Sequence, residues 1–325
     1  MTILLLSCNK KDKELATLIN TDVINISDTT ATVHGVITDN GNSEIIERGV
    51  VWSVNQNPTI DGNLVKDNST NDNISVQITS LNPASNYFVR SYAKNEAGVS
   101  YGNEAEFITT YTIVSNPGQA VTDIDGNTYE TVKLGNGQIW MTENLRVSSC
   151  SDGTIIPNVE NNNDWSNLTT SAFSFYDNNN NYDIPYGKLY NWQTVISCDV
   201  CPNGWRVPSL EDFNELVDYL DPNASNAQMV NNAGSKMKTV GTLYWPEDNP
   251  NATNESGFSA IPGGHRFLTG TFSLYFYDYA RYWTTSEDGS GIGAFGAFIS
   301  SGSSSVQSMG FHKTEGLSIR CIKEY

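Results

Sequence analysis

Between residues 18 and 110 apolar and polar positions alternate in short runs, and no apolar stripe recurs at helical spacing. Runs at 23–27, 30–37, 45–53, 74–79, 87–94 and 104–109 predict strands. Between them, Asp39-Asn40-Gly41, Asp61-Gly62-Asn63 and Asn95-Glu96-Ala97-Gly98 supply residues that enter left-handed backbone at low cost, and they predict turns. Short half-buried strands separated by such turns predict an all-β sandwich over 18–110.

The pattern changes after a linker over 111–118. Asp125-Gly126-Asn127 turns into a strand through Tyr129 and Val132, and Gly135-Asn136-Gly137 leads into Ile139-Trp140-Met141 as a hairpin. Pro208 then marks a boundary, Ser209 can cap a helix, and Asp212 falls in its first turn. Leu210, Phe213, Leu216, Val217 and Leu220 form one face of that helix. A second helix is expected over 227–237, and 257–325 is aromatic, Gly-rich and β-like. The chain is therefore expected to hold two domains, 18–110 and 119–325.

Asp plus Glu number 36 against 18 Lys plus Arg, a net charge of −18. A surface of this sign repels phosphate backbones and anionic headgroups, which argues against nucleic-acid binding and electrostatic membrane docking. No apolar run approaches the roughly 18 residues that a membrane-spanning helix needs.

The first eight residues read differently. Met1 to Ser7 is a short apolar run that stops at Cys8, and Leu5-Leu6-Ser7-Cys8 looks like a lipobox, whose cysteine is acylated and becomes the mature N-terminus. Residues 9–17 follow as a charged tether, and its opening Asn9-Lys10-Lys11-Asp12-Lys13-Glu14 resembles the export signals of surface lipoproteins in Bacteroidetes. The resemblance implies a cell-surface or outer-membrane location, with membrane contact only through a lipid on Cys8.

Leu81-Asn82-Pro83-Ala84-Ser85-Asn86-Tyr87, followed by Arg90, Ala93, Asn95 and Gly98, resembles the run into strand F of fibronectin type III domains. In that family the tyrosine hydroxyl bonds to backbone upstream and pins a corner. Trp52 departs from the family pattern by lying one strand later than usual. The fold implies no activity by itself, and the expected role is a spacer.

The second domain carries a longer ordered set of motifs. They are Asp125-Gly126-Asn127-Thr128-Tyr129-Glu130-Thr131-Val132-Lys133, Trp140-Met141-Thr142-Glu143-Asn144-Leu145 and Tyr186-Gly187-Lys188-Leu189-Tyr190-Asn191-Trp192, then Cys201-Pro202-Asn203-Gly204-Trp205-Arg206-Val207-Pro208-Ser209. Asn254-Glu255-Ser256-Gly257-Phe258-Ser259-Ala260-Ile261-Pro262-Gly263-Gly264, Tyr282-Trp283-Thr284-Thr285-Ser286-Glu287 and Ile319-Arg320-Cys321 close it. In this order they resemble the Fibrobacter succinogenes major paralogous domain, a family of bacterial secreted and surface proteins, over 121–325. The resemblance implies a surface setting and no particular chemistry. The run through Trp205 to Ser209, the Tyr282-Trp283 strand and the terminal Arg320-Cys321 also resemble C-type lectin-like and formylglycine-generating-enzyme-like folds, which implies an α+β architecture.

Cys150, Cys198, Cys201 and Cys321 would lie in an oxidising compartment, where four cysteines allow three disulfide pairings. The lectin-like resemblance implies Cys201 with Cys321, which leaves Cys150 with Cys198. Cys198-Asp199-Val200-Cys201 is not read as a redox motif, because Pro202 to Pro208 separates it from the helix, and no second close cysteine pair suggests zinc. The formylglycine enzymes use two late cysteines and only Cys321 is available, so that activity is not implied.

His34, His265 and His312 lie in no hydrolase or metalloprotease motif, and Glu287 and Asp288, as neighbours on a strand, point to opposite faces. No catalysis is expected. The loop Asp177-Asn178-Asn179-Asn180-Asn181-Tyr182-Asp183 offers oxygen ligands for calcium, against the plainer reading of a polar loop, and no other cofactor is implied. The candidate ligand-binding residues are Trp245, Tyr282 and Trp283, whose rings can stack on sugars, with His265 and Arg266 as hydrogen-bonding partners. The expected function is binding or adhesion at the cell surface, toward polysaccharide or a surface protein. A structural or accessory subunit of a surface assembly is the alternative, and a glycan- or protein-modifying enzyme stands third.

Overall fold

A computed structural model describes residues 12–224, 230–246, 249, 251–274 and 276–324. Cys8, the apolar run before it and the first tether residues lie outside the described residues. The chain divides into two compact units, Met1–Thr112 and Ile113–Tyr325.

The N-terminal unit is built from β1 (Thr17–Ile24), β2 (Ala31–Asp39), β3 (Glu47–Ser53), β4 (Asn63–Lys66), β5 (Asn73–Ile78), β6 (Asn86–Asn95), β7 (Gly98–Tyr101) and β8 (Ala105–Ile108). One sheet has the order β1-β2-β5; the other has the order β4-β3-β6-β7, with β8 also pairing with β6, and the pairings are antiparallel. Alternate residues of β2 and β5 point inward, and Val33, Ile37, Ile74 and Ile78 meet Val50, Val89 and Phe107 of the second sheet in one core. This is an immunoglobulin-like sandwich. Tyr87 is buried, and its hydroxyl accepts the Asn82 N–H at 3.0 Å, which fixes the corner between β5 and β6.

Three strands differ from the sequence reading. The first strand begins at Thr17 instead of residue 23, because a register irregularity between Ile19 and Asp22 breaks its alternation. β4 and β7 were not expected: each is four residues long and neither contains a fully buried side chain, so the pattern carries almost no signal.

The C-terminal unit contains β9 (Ser115–Pro117), β10 (Val121–Thr122), β11 (Thr128–Tyr129), β12 (Thr131–Leu134), β13 (Ile139–Met141), α1 (Asn162–Ser166), β14 (Phe173–Ser174) and α2 (Asp183–Tyr186). It continues with β15 (Leu189–Tyr190), α3 (Trp192–Ser197), β16 (Trp205–Arg206), α4 (Leu210–Leu220), α5 (Ala233–Met237), β17 (Tyr279–Glu287), β18 (Gly293–Ser300), β19 (Val306–His312) and β20 (Ile322–Lys323). A five-stranded sheet runs β16-β20-β13-β12-β9, and a three-stranded antiparallel sheet runs β17-β18-β19. β9 pairs with β12, with Val132 opposite Pro117. Residues 115–117, read from sequence as linker, are thus part of this unit's sheet.

The Ser209 cap is realised as a full capping box with Asp212, and the two terminal guanidinium nitrogens of Arg206 donate to the Asp212 carboxylate at 2.7 Å. Phe213, Leu216 and Leu220 turn inward against Trp140, Phe258 and Tyr282. The second helix is shorter than expected, 233–237. Asn231 behaves as a strand partner, its side-chain oxygen accepting the Val306 N–H and its amide donating to the Val306 carbonyl, both at 2.9 Å. Residues 227–229 of that expected helix lie outside the described residues. A second cluster gathers Trp192, Trp205, Trp283, Tyr190 and Phe311 around the disulfides Cys150–Cys198 and Cys201–Cys321, whose Cα atoms lie 5.2 and 6.0 Å apart.

Candidate functional site

The residues singled out from sequence as ligand contacts lie in the interior. Trp245, Tyr282 and Trp283 are buried, with the indole N–H of Trp245 donating to the Ala260 carbonyl at 3.0 Å and that of Trp283 to the Tyr190 carbonyl at 2.7 Å. Ring faces committed to a core cannot stack on a sugar, so these three are corrected to core residues.

Arg266 is buried as well, lying over Trp165 and Phe272 at 4.2 and 4.8 Å. Its guanidinium donates to the backbone carbonyls of Val159, Glu160 and Gly270. Burial holds its pKa down at about 10. Arg320 repeats the device, donating to Phe258, Ser259 and the Asn144 side chain above the rings of Phe258 and Tyr282. Both cations hold separated loops together and are unavailable to a ligand.

His265 is buried, with Nε2 2.5 Å from Glu315. Burial, reinforced by nearby Arg281, outweighs Glu315 and holds its pKa below the usual 6.5. The neutral ring is therefore favoured in the folded chain, whereas the unfolded chain takes up a proton as pH falls through 6.5. Stability contributed by this residue is present above that value and declines below it, toward the folded pKa. Urea titrations of the chain and of His265→Gln between neutral and mildly acidic pH should show a decline that the substitution flattens; parallel pH profiles would contradict this assignment.

An exposed aromatic surface lies elsewhere. Phe276, in a single 3₁₀ turn over Phe276–Asp278, is buried at the centre of a rosette. The rings of Tyr176, Tyr182, Tyr186 and Tyr277 surround it, with centroids 4.2, 5.0, 4.7 and 4.8 Å away. Tyr244 extends the group from Tyr186 at 5.9 Å, and Phe272 extends it from Tyr176 at 5.4 Å. Tyr176, Tyr182, Tyr186, Tyr244 and Phe272 are half-buried, and Tyr277 is 50% exposed.

The rosette is held from beneath. The Tyr176 hydroxyl donates to the Ser273 carbonyl, and its ring lies over Gly264, where φ is +82° and an added Cβ would come within 2.2 Å of the ring. Asn144 donates to the Tyr186 carbonyl at 2.8 Å, while buried Lys188 donates to Asp183 at 3.0 Å and to the Arg146 carbonyl. Asp177 and Asn178 take left-handed backbone, with φ of 53° and 52°. Burial first, then the neighbouring Tyr277, Tyr244 and Tyr182, pushes the Tyr186 hydroxyl up to about 12, and burial and Asp177 raise that of Tyr176. These phenols stay protonated across physiological pH; the Tyr186 hydroxyl can donate and accept hydrogen bonds, while that of Tyr176, already donating to Ser273, can accept.

The asparagine-rich loop frames this rosette. Of its two carboxylates, Asp183 is held by Lys188, and among the described residues no three His, Cys, Asp or Glu side chains are grouped as a metal would require. The signal for the rosette was in the sequence, as tyrosines set within a polar stretch, but its members come from three separate segments.

Two similar solved structures frame the comparison. Domains A168–A170 of titin share 14% identity at a TM-score of 0.24, over 29% of this chain and 32% of that one, so this chain spans about a third of the titin fragment. The sensor domain of the anti-sigma factor RsgI4 in Pseudobacteroides cellulosolvens shares 15% identity at a TM-score of 0.22, over 29% of this chain and 94% of that one. No curated protein matches. Residues 132–323, more than half of the chain and nearly all of its C-terminal unit, match the Fibrobacter succinogenes major domain, and the protein belongs to that family of secreted or surface-type domains.

Proposed function

We propose that this protein is a non-catalytic, lipid-anchored cell-surface protein whose C-terminal domain binds polysaccharide through the tyrosine rosette. The observation that carries the reading is the grouping of half-exposed tyrosines around Phe276 on a braced loop. Aromatic rings cover the apolar C–H faces of sugars, and phenols and amides bond to their hydroxyls. Bracing lowers the entropy lost on binding. Attachment through Cys8 rests on its lipobox sequence, and the N-terminal sandwich serves as spacer.

A lectin-like α+β architecture for the C-terminal domain is supported by the capped helix after Trp205-Arg206 and by the disulfide from Cys201 to Cys321. A role without catalysis is supported by the engagement of the acid–base candidates: His265 with Glu315, Glu287 with Lys313 at 2.9 Å, and Asp288 with Ser290.

Glycan-array and pulldown binding of the full chain, with and without calcium, tests the reading. Tyr277→Ala and Tyr182→Ala should each weaken binding about tenfold with an unchanged thermal transition. Binding that survives both substitutions removes the rosette as the site. A second reading, a structural or accessory role, draws on Leu274, Ile184 and Leu243 on the segments carrying the rings, exposed by 94%, 72% and 76%. A co-purifying surface protein together with silence on glycans would favour it.

A further inference from the structure

We infer that the rosette takes a short neutral oligosaccharide, gripping one or two sugar units at a chain end, and not the flat face of an extended polymer; the inference rests on the polysaccharide reading above. A flat polymer needs several rings in one plane, spaced along its length. Here the ring pairs Tyr176–Tyr182, Tyr182–Tyr186, Tyr186–Tyr244, Tyr182–Phe276, Tyr186–Phe276 and Phe276–Tyr277 meet at angles between 61° and 87°. Adjacent rings inclined to one another by 60° or more cannot lie against the same flat surface. The stacked pair, Tyr176 on Phe276 at 26°, presents few free faces because Phe276 is buried within it. All four surrounding rings lie within 5.0 Å of Phe276, so the group is a compact cap and not a strip.

Charge narrows the ligand further. On the segments that carry the rings, residues 176–186, 244 and 272–278, the charged side chains are Asp177, Asp183 and Asp278, all acidic. Lys188, which donates to Asp183, and Arg266, which lies over Phe272, are buried and committed to that carboxylate and to backbone carbonyls. With Asp183 paired to Lys188, a uronate or sulfated sugar would meet the carboxylates of Asp177 and Asp278 with no lysine or arginine on these segments to offset them, whereas a neutral sugar meets phenols and the exposed amides of Asn180 and Asn181.

Calorimetric titration of the full chain with neutral oligosaccharides, from a single sugar up to hexamers of a backbone that binds on the array, measures the grip directly. Affinity should change by less than about threefold beyond the dimer, and a matched uronate oligosaccharide should bind at least about tenfold more weakly. Tyr277→Ala and Tyr182→Ala should each weaken dimer binding about tenfold. Affinity that climbs with every added sugar, adsorption to an insoluble crystalline polysaccharide in preference to the dimer, or equal binding of the acidic ligand would overturn the inference while leaving polysaccharide binding intact. Failure of every saccharide at every length would overturn the polysaccharide reading itself, and this inference with it.

Discussion

Replacing Cys201 and Cys321 together with serine should lower the unfolding free energy of the C-terminal unit by about 4 kcal/mol. The bond joins residues 120 apart in sequence and lies in the buried cluster around Trp205 and Trp283. Without it the unfolded chain regains the freedom of a long loop. Cys150–Cys198 spans only 48 residues, so removing that pair should cost less, by roughly 1 kcal/mol on loop length alone. Both partners are replaced in each case, since a lone thiol beside the other disulfide invites exchange. Six of the seven tryptophans lie in residues 140–283, so urea unfolding followed by indole fluorescence reports mainly this unit. Midpoints that do not fall, or that fall equally for both pairs, would contradict the loop-closure account.

Trp283→Ala should cost about 3–5 kcal/mol, the range for deleting a large buried aromatic. The substitution opens a cavity beside Phe311, whose ring is 6.0 Å away and edge-on, and leaves the Tyr190 carbonyl without its indole donor. Tyr277→Ala, at a half-exposed position, should leave the unfolding midpoint almost unchanged. The contrast separates core from site: a Trp283 variant with the parental midpoint and lost glycan binding would return that residue to the ligand surface.

The sequence was most readable where burial is periodic. β2, β3, β5 and β6 lie within two residues of the runs that predicted them, because each buries alternate or successive apolar residues against a fixed core. The Ser209 helix was legible for a local reason, since cap, acidic first turn and apolar face all fall within twelve residues, 209–220. Beyond such local patterns legibility fails. Asn231 replaces a turn of helix by satisfying a strand edge some seventy-five residues away, which no local period encodes. The five candidate contacts were chosen by chemistry, and Trp245 and Tyr282 look no different in sequence from Tyr182 or Tyr277. Exposure separates them, and exposure is set by which segments pack on which, as when Gly264 admits the ring of Tyr176.

The place of β20 bears on the order in which the chain acquires its shape. Ile322 pairs with Trp140 on one side and Arg206 on the other, so one inner strand of the five-stranded sheet is supplied by residues far downstream of its two neighbours. As the chain leaves a ribosome or threads through an export pore N-terminus first, the N-terminal sandwich has all its strands once Ile108 is free. The C-terminal sheet must wait with the edges of β13 and β16 open until residue 323 emerges, an interval in which unpaired backbone is open to the wrong partner. A second domain that cannot close early stays threadable to its last residues, a topology that suits a family of secreted or surface-type domains.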